Sequence, residues 1–254
     1  MAFSDTDLTQ DQFLGGKLVV SQPRNGYRAG VDPVLLAAAV PAVAGQSLLD
    51  LGCGAGVASL CLGRRVPGLR LTGVEMQSDY ADLARRNADA NGIAMTVVTA
   101  DLRNLPADLK AHSFDHVIAN PPYFDRARGT ASPDAGRDAA LAGETRLSDW
   151  ISVATQRLAP KGCLSLIQKA ERLHDVLNAL DHRLGSIVLL PLAPRSGRAA
   201  ELVILQARKG GRGAFRLLAP LILHDGDRHE RDGDSYTAGV RDVLRNGAAL
   251  PVGI

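Results

Sequence analysis

The stretch Leu48–Leu60, LLDLGCGAGVASL, decides the fold. An apolar run ends in Asp50 and Leu51, glycines follow at positions 52, 54 and 56, and a helical pattern begins at Val57. A lone G-x-G-x-G carries little information. Between a strand and a helix it becomes a turn in which backbone can approach a ligand at the carboxyl end of a first parallel strand.

Working outward, six further apolar runs read as strands: 69–76, 95–101, 114–120, 163–168, 185–192 and 201–207. Several are apolar on both faces, as in a parallel sheet covered on two sides. Helical patterns fall between them at 57–65, 78–91, 147–158 and 170–183, with Ser78 and Ser148 as expected caps of the second and third. The alternation predicts an α/β fold, a doubly wound, mostly parallel sheet of seven strands with helices on both faces. A helix over 31–44 precedes the first strand, with Asp32 at its N-cap and Pro33 at its first position. Residues 125–146 have no period and read as a mobile lid. The C-terminal stretch predicts a short β-hairpin and then a helix from about Tyr236 to Arg245. One domain is expected over 1–254: an N-terminal segment to 45, a core to 210 and a C-terminal appendage.

Bulk properties narrow the class. No run of 18 apolar residues suggests a membrane span, and the acidic N-terminus does not read as a targeting signal. Cys53, Cys61 and Cys163 lack ligand spacing, which suits reduced thiols in a cytoplasmic protein and no metal. The acidic run at 224–234 breaks the calcium-loop pattern and reads as a solvated loop. Net charge is only +2, yet residues 193–216 hold Arg195, Arg198, Arg208, Lys209, Arg212 and Arg216 against Glu201. That clustering predicts a phosphate-binding face, with Arg195 and Arg198 as substrate contacts.

Acids end three strands in register with the glycines: Asp50, Glu75 and Asp101. Glu75 lies 19 residues after Gly56, where a carboxylate can take two ribose hydroxyls. The fourth strand ends in Asn120-Pro121-Pro122-Tyr123-Phe124. Proline ends a ladder and holds the preceding residue extended, so Asn120 points along the strand into the crevice. The Asn120 side-chain oxygen and the Pro121 carbonyl make two acceptors in fixed geometry, which suits a planar NH2 group. Accepting both hydrogens localises the nitrogen lone pair for in-line attack, and positioning supplies most of the rate. Tyr123 offers a stacking face and Phe124 a second wall. Adenine N6, guanine N2, cytosine N4 and a glutamine amide all meet this description.

The glycine turn with acids ending strands two and three resembles S-adenosylmethionine-dependent methyltransferases of the Rossmann-like class. The resemblance implies S-adenosylmethionine as donor, with Gly52, Gly54 and Gly56 at its methionine end. It puts Glu75 at the ribose and Asp101 at the adenine amine, with Asp50, Met76, Leu102 and Asn120 also lining the site. Release-factor glutamine methyltransferases share NPPY but carry a helical domain ahead of the fold, for which the residues before the first helix are too few. FLGGKLVVSQPRNGYRAGVDPVLLAAA and the terminal PLILHD and SYTAGVRDVL, taken with the central motifs, resemble the valine-tRNA adenine-N6 methyltransferases. Those enzymes modify the adenine next to the anticodon, which implies a tRNA partner. The resemblance makes Arg28 and Asp32 candidates for the methionine carboxylate and amine. Other amino-methyl acceptors, guanine N2 of an rRNA or a protein glutamine, are the alternatives. A non-catalytic RNA- or cofactor-binding module is a rival of a different class, disfavoured by the intact Asn120 and its prolines.

Overall fold

The computed structural model of the chain describes residues 3–123, 145–226 and 235–253. Phe124, most of the expected lid and most of the acidic run at 224–234 lie outside these residues.

The central sheet holds all seven expected strands. In chain order they are β3 (Ser47–Leu51), β4 (Arg70–Glu75), β5 (Met95–Thr99), β6 (Phe114–Ala119), β7 (Leu158–Lys169), β8 (Leu184–Ala193) and β9 (Leu202–Lys209). Two-residue strands β10 (Arg216–Leu217) and β11 (Leu221–Ile222) both add in parallel to β8. The order is β10-β8-β9-β7-β6-β3-β4-β5, and only β9 runs antiparallel to its neighbours. Chain direction across the sheet reverses between β3 and β6, so a crevice opens there at the strands' carboxyl ends.

Both faces are buried because the strands are apolar on both sides. Leu48, Ile118, Ile167 and Ile204 pack on one face with helices α1 (Asp32–Ala39) and α2 (Val57–Arg65). Leu49, Leu51, Val117 and Leu164 pack on the other, with α4 (Ala107–Ala111), α5 (Leu147–Arg157) and α6 (Leu173–Ala179). Between α2 and α4 in the chain, α3 (Ser78–Ala90) buries Leu83 and Ala84 beside β4, β5 and the glycine turn. Among the described residues, no helix is long and apolar enough to cross a membrane.

Several boundaries differ from expectation. Helix α1 stops at Ala39, since Pro41 holds Val40 extended at ψ 121°. Asp32 is its first residue rather than its cap, and its carboxylate is engaged elsewhere. Neither Ser78 nor Ser148 caps; Asp149 instead accepts the Arg146 N–H at 3.0 Å. Among the described residues, the expected C-terminal hairpin shows an antiparallel bridge, His224 to Tyr236, flanked by backbone bonds from Asp225 to Ser235 and from Thr237 to Leu223, before α7 (Ala238–Asn246).

The N-terminal segment forms a hairpin that the sequence reading did not resolve, β1 (Leu8–Phe13) with β2 (Leu18–Pro23). Its free edge is docked by two asparagines one turn apart on α3. Asn87 accepts from Ser21 N at 2.8 Å and donates to Ser21 O at 3.0 Å; Asn91 does the same for Val19 at 3.0 and 2.7 Å. The i, i+4 helical spacing meets the i, i+2 strand spacing, so side-chain amides replace a missing strand. Asn87 also donates to Ala55 O at 3.0 Å, which ties the hairpin to the glycine turn. Asn87→Leu leaves three backbone groups, two part-buried and one buried, without partners and is expected to cost about 3 kcal/mol in urea unfolding. Asn91→Ala, closer to solvent, is expected to cost under about 1 kcal/mol in the same measurement.

Candidate active site

The crevice is a cleft of about 1930 Å³. A single small-molecule site occupies roughly 300–1,000 Å³, so this one has room for a cofactor and a base together. Its walls come from the three strand-end acids, the glycine turn, the Asn120–Tyr123 segment and the 26–33 stretch that the hairpin leads into.

All three glycines of the turn have positive φ: 62° at Gly52, 54° at Gly54 and 87° at Gly56. At Gly52 a Cβ would stand 2.4 Å from the Trp150 ring, so both conformation and space demand glycine. Trp150, within the helix expected over 147–158, thus backs the ligand turn. Glu75 closes the turn from β4: one carboxylate oxygen accepts from Gly54 N and the other from Gln77 N, each at 2.9 Å. Burial pushes its carboxyl above the usual range against those two hydrogen bonds. Asp50 lines the cleft at 3% exposure and accepts from Ser59 Oγ at 2.8 Å; burial raises its pKa to about 7.

Asp101 lies at the rim, its carboxylate gripped by Arg103 at 2.7–3.2 Å and held below the usual range chiefly by that hydrogen bonding. Met76 and Leu102 flank this end of the cleft with apolar surface, Met76 being 45% exposed. Arg28 also lines the cleft, but its guanidinium is held by Asp11 at 2.6 Å and by Thr9 Oγ1 and the Pro23 carbonyl at 2.7 Å. Pro121 is buried, Pro122 exposed, and Asn120 and Tyr123 half-buried. The Tyr123 hydroxyl donates to Asp32 at 2.5 Å, which fastens the NPPY segment to the start of α1. Burial, and then that carboxylate, push the phenol far above its usual range. Tyr27 escaped the sequence reading. Its ring stands 3.7 Å from where a Gly54 Cβ would be, and its carbonyl accepts from the Tyr80 hydroxyl. One signal was available: an aromatic beside a glycine in a chain with few aromatics.

The expected basic face does not form. Strand β9 runs the length of the sheet between its members, about 25 Å at strand rise. It puts Arg195 and Arg198 at the carboxyl end and Arg208, Lys209 and Arg212 at the other. Arg195 is 8% exposed and donates to the carbonyls of Asp225 and Gly226, so it braces a loop rather than meeting solvent phosphates. Arg208 and Lys209 donate to the carbonyls of Lys161 and Leu158, and Arg216 to that of Gly253. Only Arg198 of the two expected substrate arginines is exposed.

The model of the methyltransferase small domain matches residues 29–187, from the approach to α1 through the glycine turn and NPPY into β8. The chain belongs to that family. The tRNA1(Val) (adenine(37)-N6)-methyltransferase of Porphyromonas gingivalis W83 is 36% identical over 66% of this chain and 69% of its own length. The enzyme of the same name from Dickeya chrysanthemi is 30% identical over 88% of this chain and 90% of its own. A solved structure described as a predicted O-methyltransferase, from Agrobacterium tumefaciens, is 27% identical with a TM-score of 0.69, covering 88% of this chain and all of that one. The Thermus thermophilus 16S rRNA N2 G1207 methyltransferase, solved with AdoMet and guanosine, shares the fold at 21% identity and TM-score 0.57 over 80% of this chain and half of its own.

The methyltransferase takes S-adenosylmethionine as donor, and its residues fit that group. The glycines at 52, 54 and 56 carry no side chain and leave room for close approach, and Glu75 keeps acceptor lone pairs beyond its two backbone bonds, which suits a ligand with hydroxyl donors. When bound, the donor supplies an electrophilic methyl on a sulfonium beside a cationic ammonium. Asp50 is half-protonated near pH 7 in the free protein, and a cation beside it favours the carboxylate. Donor affinity is therefore expected to rise with pH toward about 7 and level off above it. Calorimetric titration from pH 5.5 to 8.5 checks this, and Asp50→Asn should flatten the profile.

Proposed function

We propose that the chain methylates the exocyclic N6 of adenine in a tRNA, at the position beside the anticodon. The observation that carries the proposal is the NPPY segment itself, stopped by its prolines at the mouth of the donor cleft and tethered through Tyr123 to Asp32. The Asn120 amide makes no hydrogen bond to another described residue, so its oxygen is left for a ligand. Asn120 and the Pro121 carbonyl accept the two N6 hydrogens; the nitrogen keeps its lone pair directed at the methyl group. With its hydroxyl tied down, the Tyr123 ring keeps one plane on which a base stacks, worth about 1–3 kcal/mol. The names of the relatives support adenine and tRNA over the other planar amines. An anticodon loop is already partly unstacked, so presenting its base costs less than flipping one from a duplex. The donor contacts follow the cleft: Glu75 at the ribose, Asp101 with Met76 and Leu102 at the adenine, and Asp50 with the three glycines at the methionine end. Arg28 and Asp32 are held by protein partners, so their part is to position the 26–33 stretch and Tyr123. The whole chain works as one unit in the cytoplasm, where its three buried, free cysteines stay reduced.

Asn120→Ala is expected to lower kcat about 100-fold or more while the donor Kd stays within about threefold, as for loss of one positioned catalytic dipole. Tyr123→Phe keeps the ring and frees it from Asp32; it should raise KM for RNA more than it lowers kcat. Steady-state transfer of labelled methyl to an anticodon stem-loop measures kcat and KM, and calorimetric titration measures the donor Kd.

The tRNA backbone must be held by the cleft rim. Arg146 is exposed there, and the half-buried Arg172 pairs with the exposed Asp175 at 3.1 Å, a contact for which a phosphate can compete. Arg146→Glu with Arg172→Glu should raise KM for tRNA and flatten its salt dependence by roughly 0.7–0.9 in slope per lost contact. Arg212→Glu, at the opposite end of the sheet, should leave both unchanged.

A further inference from the structure

Gln168 is a fully buried glutamine near the end of β7, and it lines the cleft beside NPPY. Strand register puts it there: β6 and β7 pair Ala119 with Leu166, and two residues on, Pro121 faces Gln168. Its Oε1 accepts the Lys169 N–H at 2.8 Å. Only the oxygen of an amide can accept from a backbone N–H, so this bond also settles which end is nitrogen. The nitrogen, Nε2, lies 3.5 Å from the Pro121 carbonyl. An amide nitrogen carries two hydrogens, and among the described residues it has that one acceptor. A buried N–H without an acceptor costs about 1–3 kcal/mol, so the arrangement calls for an acceptor brought by a ligand.

We propose that Gln168 reads the target base, donating its second Nε2 hydrogen to the ring nitrogen beside the amino group that receives the methyl. The proposal rests on the adenine reading. The Pro121 carbonyl takes one amino hydrogen, and Gln168 stands next to that carbonyl. The pair is thus an acceptor followed by a donor. Adenine answers with a donor followed by an acceptor on either side of N6, through N1 or through N7. Guanine N2 is flanked on one side by N1–H, which would set donor against donor. Gln168 therefore supplies discrimination that Asn120 and Pro121 cannot, since any planar NH2 satisfies those two. It moves no proton in the transfer; its contact holds the base in register, so its effect falls mainly on KM.

The test uses three stem-loop RNAs with adenosine, 1-deazaadenosine or 7-deazaadenosine at the target position. With the unaltered protein, one of the two deaza RNAs should fall about tenfold in kcat/KM, identifying the nitrogen that is read. Gln168→Met should lose about tenfold on the adenosine RNA, keep its donor affinity by calorimetry, and show no further loss on that same deaza RNA. A merely structural role would lower all three substrates equally and would overturn the proposal. Full activity of the unaltered protein on both deaza RNAs would overturn it without any variant. Transfer to no adenosine RNA at all would overturn the adenine reading, and this proposal with it.

Discussion

The side chain of Asn87 is 1% exposed and serves three backbone groups from two distant parts of the chain. It holds Ser21 by both N–H and carbonyl, and it holds the Ala55 carbonyl in the middle of the glycine turn. Through that amide the N-terminal hairpin and the donor turn share one anchor on α3. The hairpin in turn places Tyr27, Arg28 and Asp32 against the cleft, and Asp32 holds Tyr123. The glycine turn and the NPPY segment are thereby built on a common support, and a site that must hold two groups in register needs such a support.

The carboxyl edge of the sheet supplies the rest. Parallel strands buried on both faces end together, and their last side chains converge where strand order reverses. Glu75 fastens the tip of β4 to the glycine turn, while Trp150 backs Gly52 from the opposite face. Proline at 121 and 122 ends β6 without needing ladder partners, and Asn120 and Pro121 line the cleft there. Gln168 comes from the neighbouring strand and completes that wall.

Charge is handled locally. The rim arginines are paired with acids, Arg28 with Asp11, Arg103 with Asp101 and Arg172 with Asp175. The more solvent-facing of these pairs, Arg28 with Asp11 and Arg103 with Asp101, hold side chains in place at small cost. The basic residues that cluster most densely in the chain brace carbonyls at both ends of β9. Linear clustering along a strand separates charges by about 3.3 Å per residue, so it is a poor guide to a surface patch.

Period and punctuation were enough to read the seven strands, the glycine turn, the three strand-end acids and NPPY, because each depends on contacts between near neighbours in the chain. The tertiary structure alone decided what side chains far apart in sequence do to one another. Asp32 reads as a helix cap but is the first residue of α1 and holds Tyr123; Ser78 and Ser148 read as caps and are not. The N-terminal hairpin went unread because its docking partner is a pair of asparagines on a helix some 70 residues away, which no local pattern records. Gln168 and Trp150 read as ordinary strand and helix positions; only strand register and helix packing bring one beside Pro121 and the other onto Gly52.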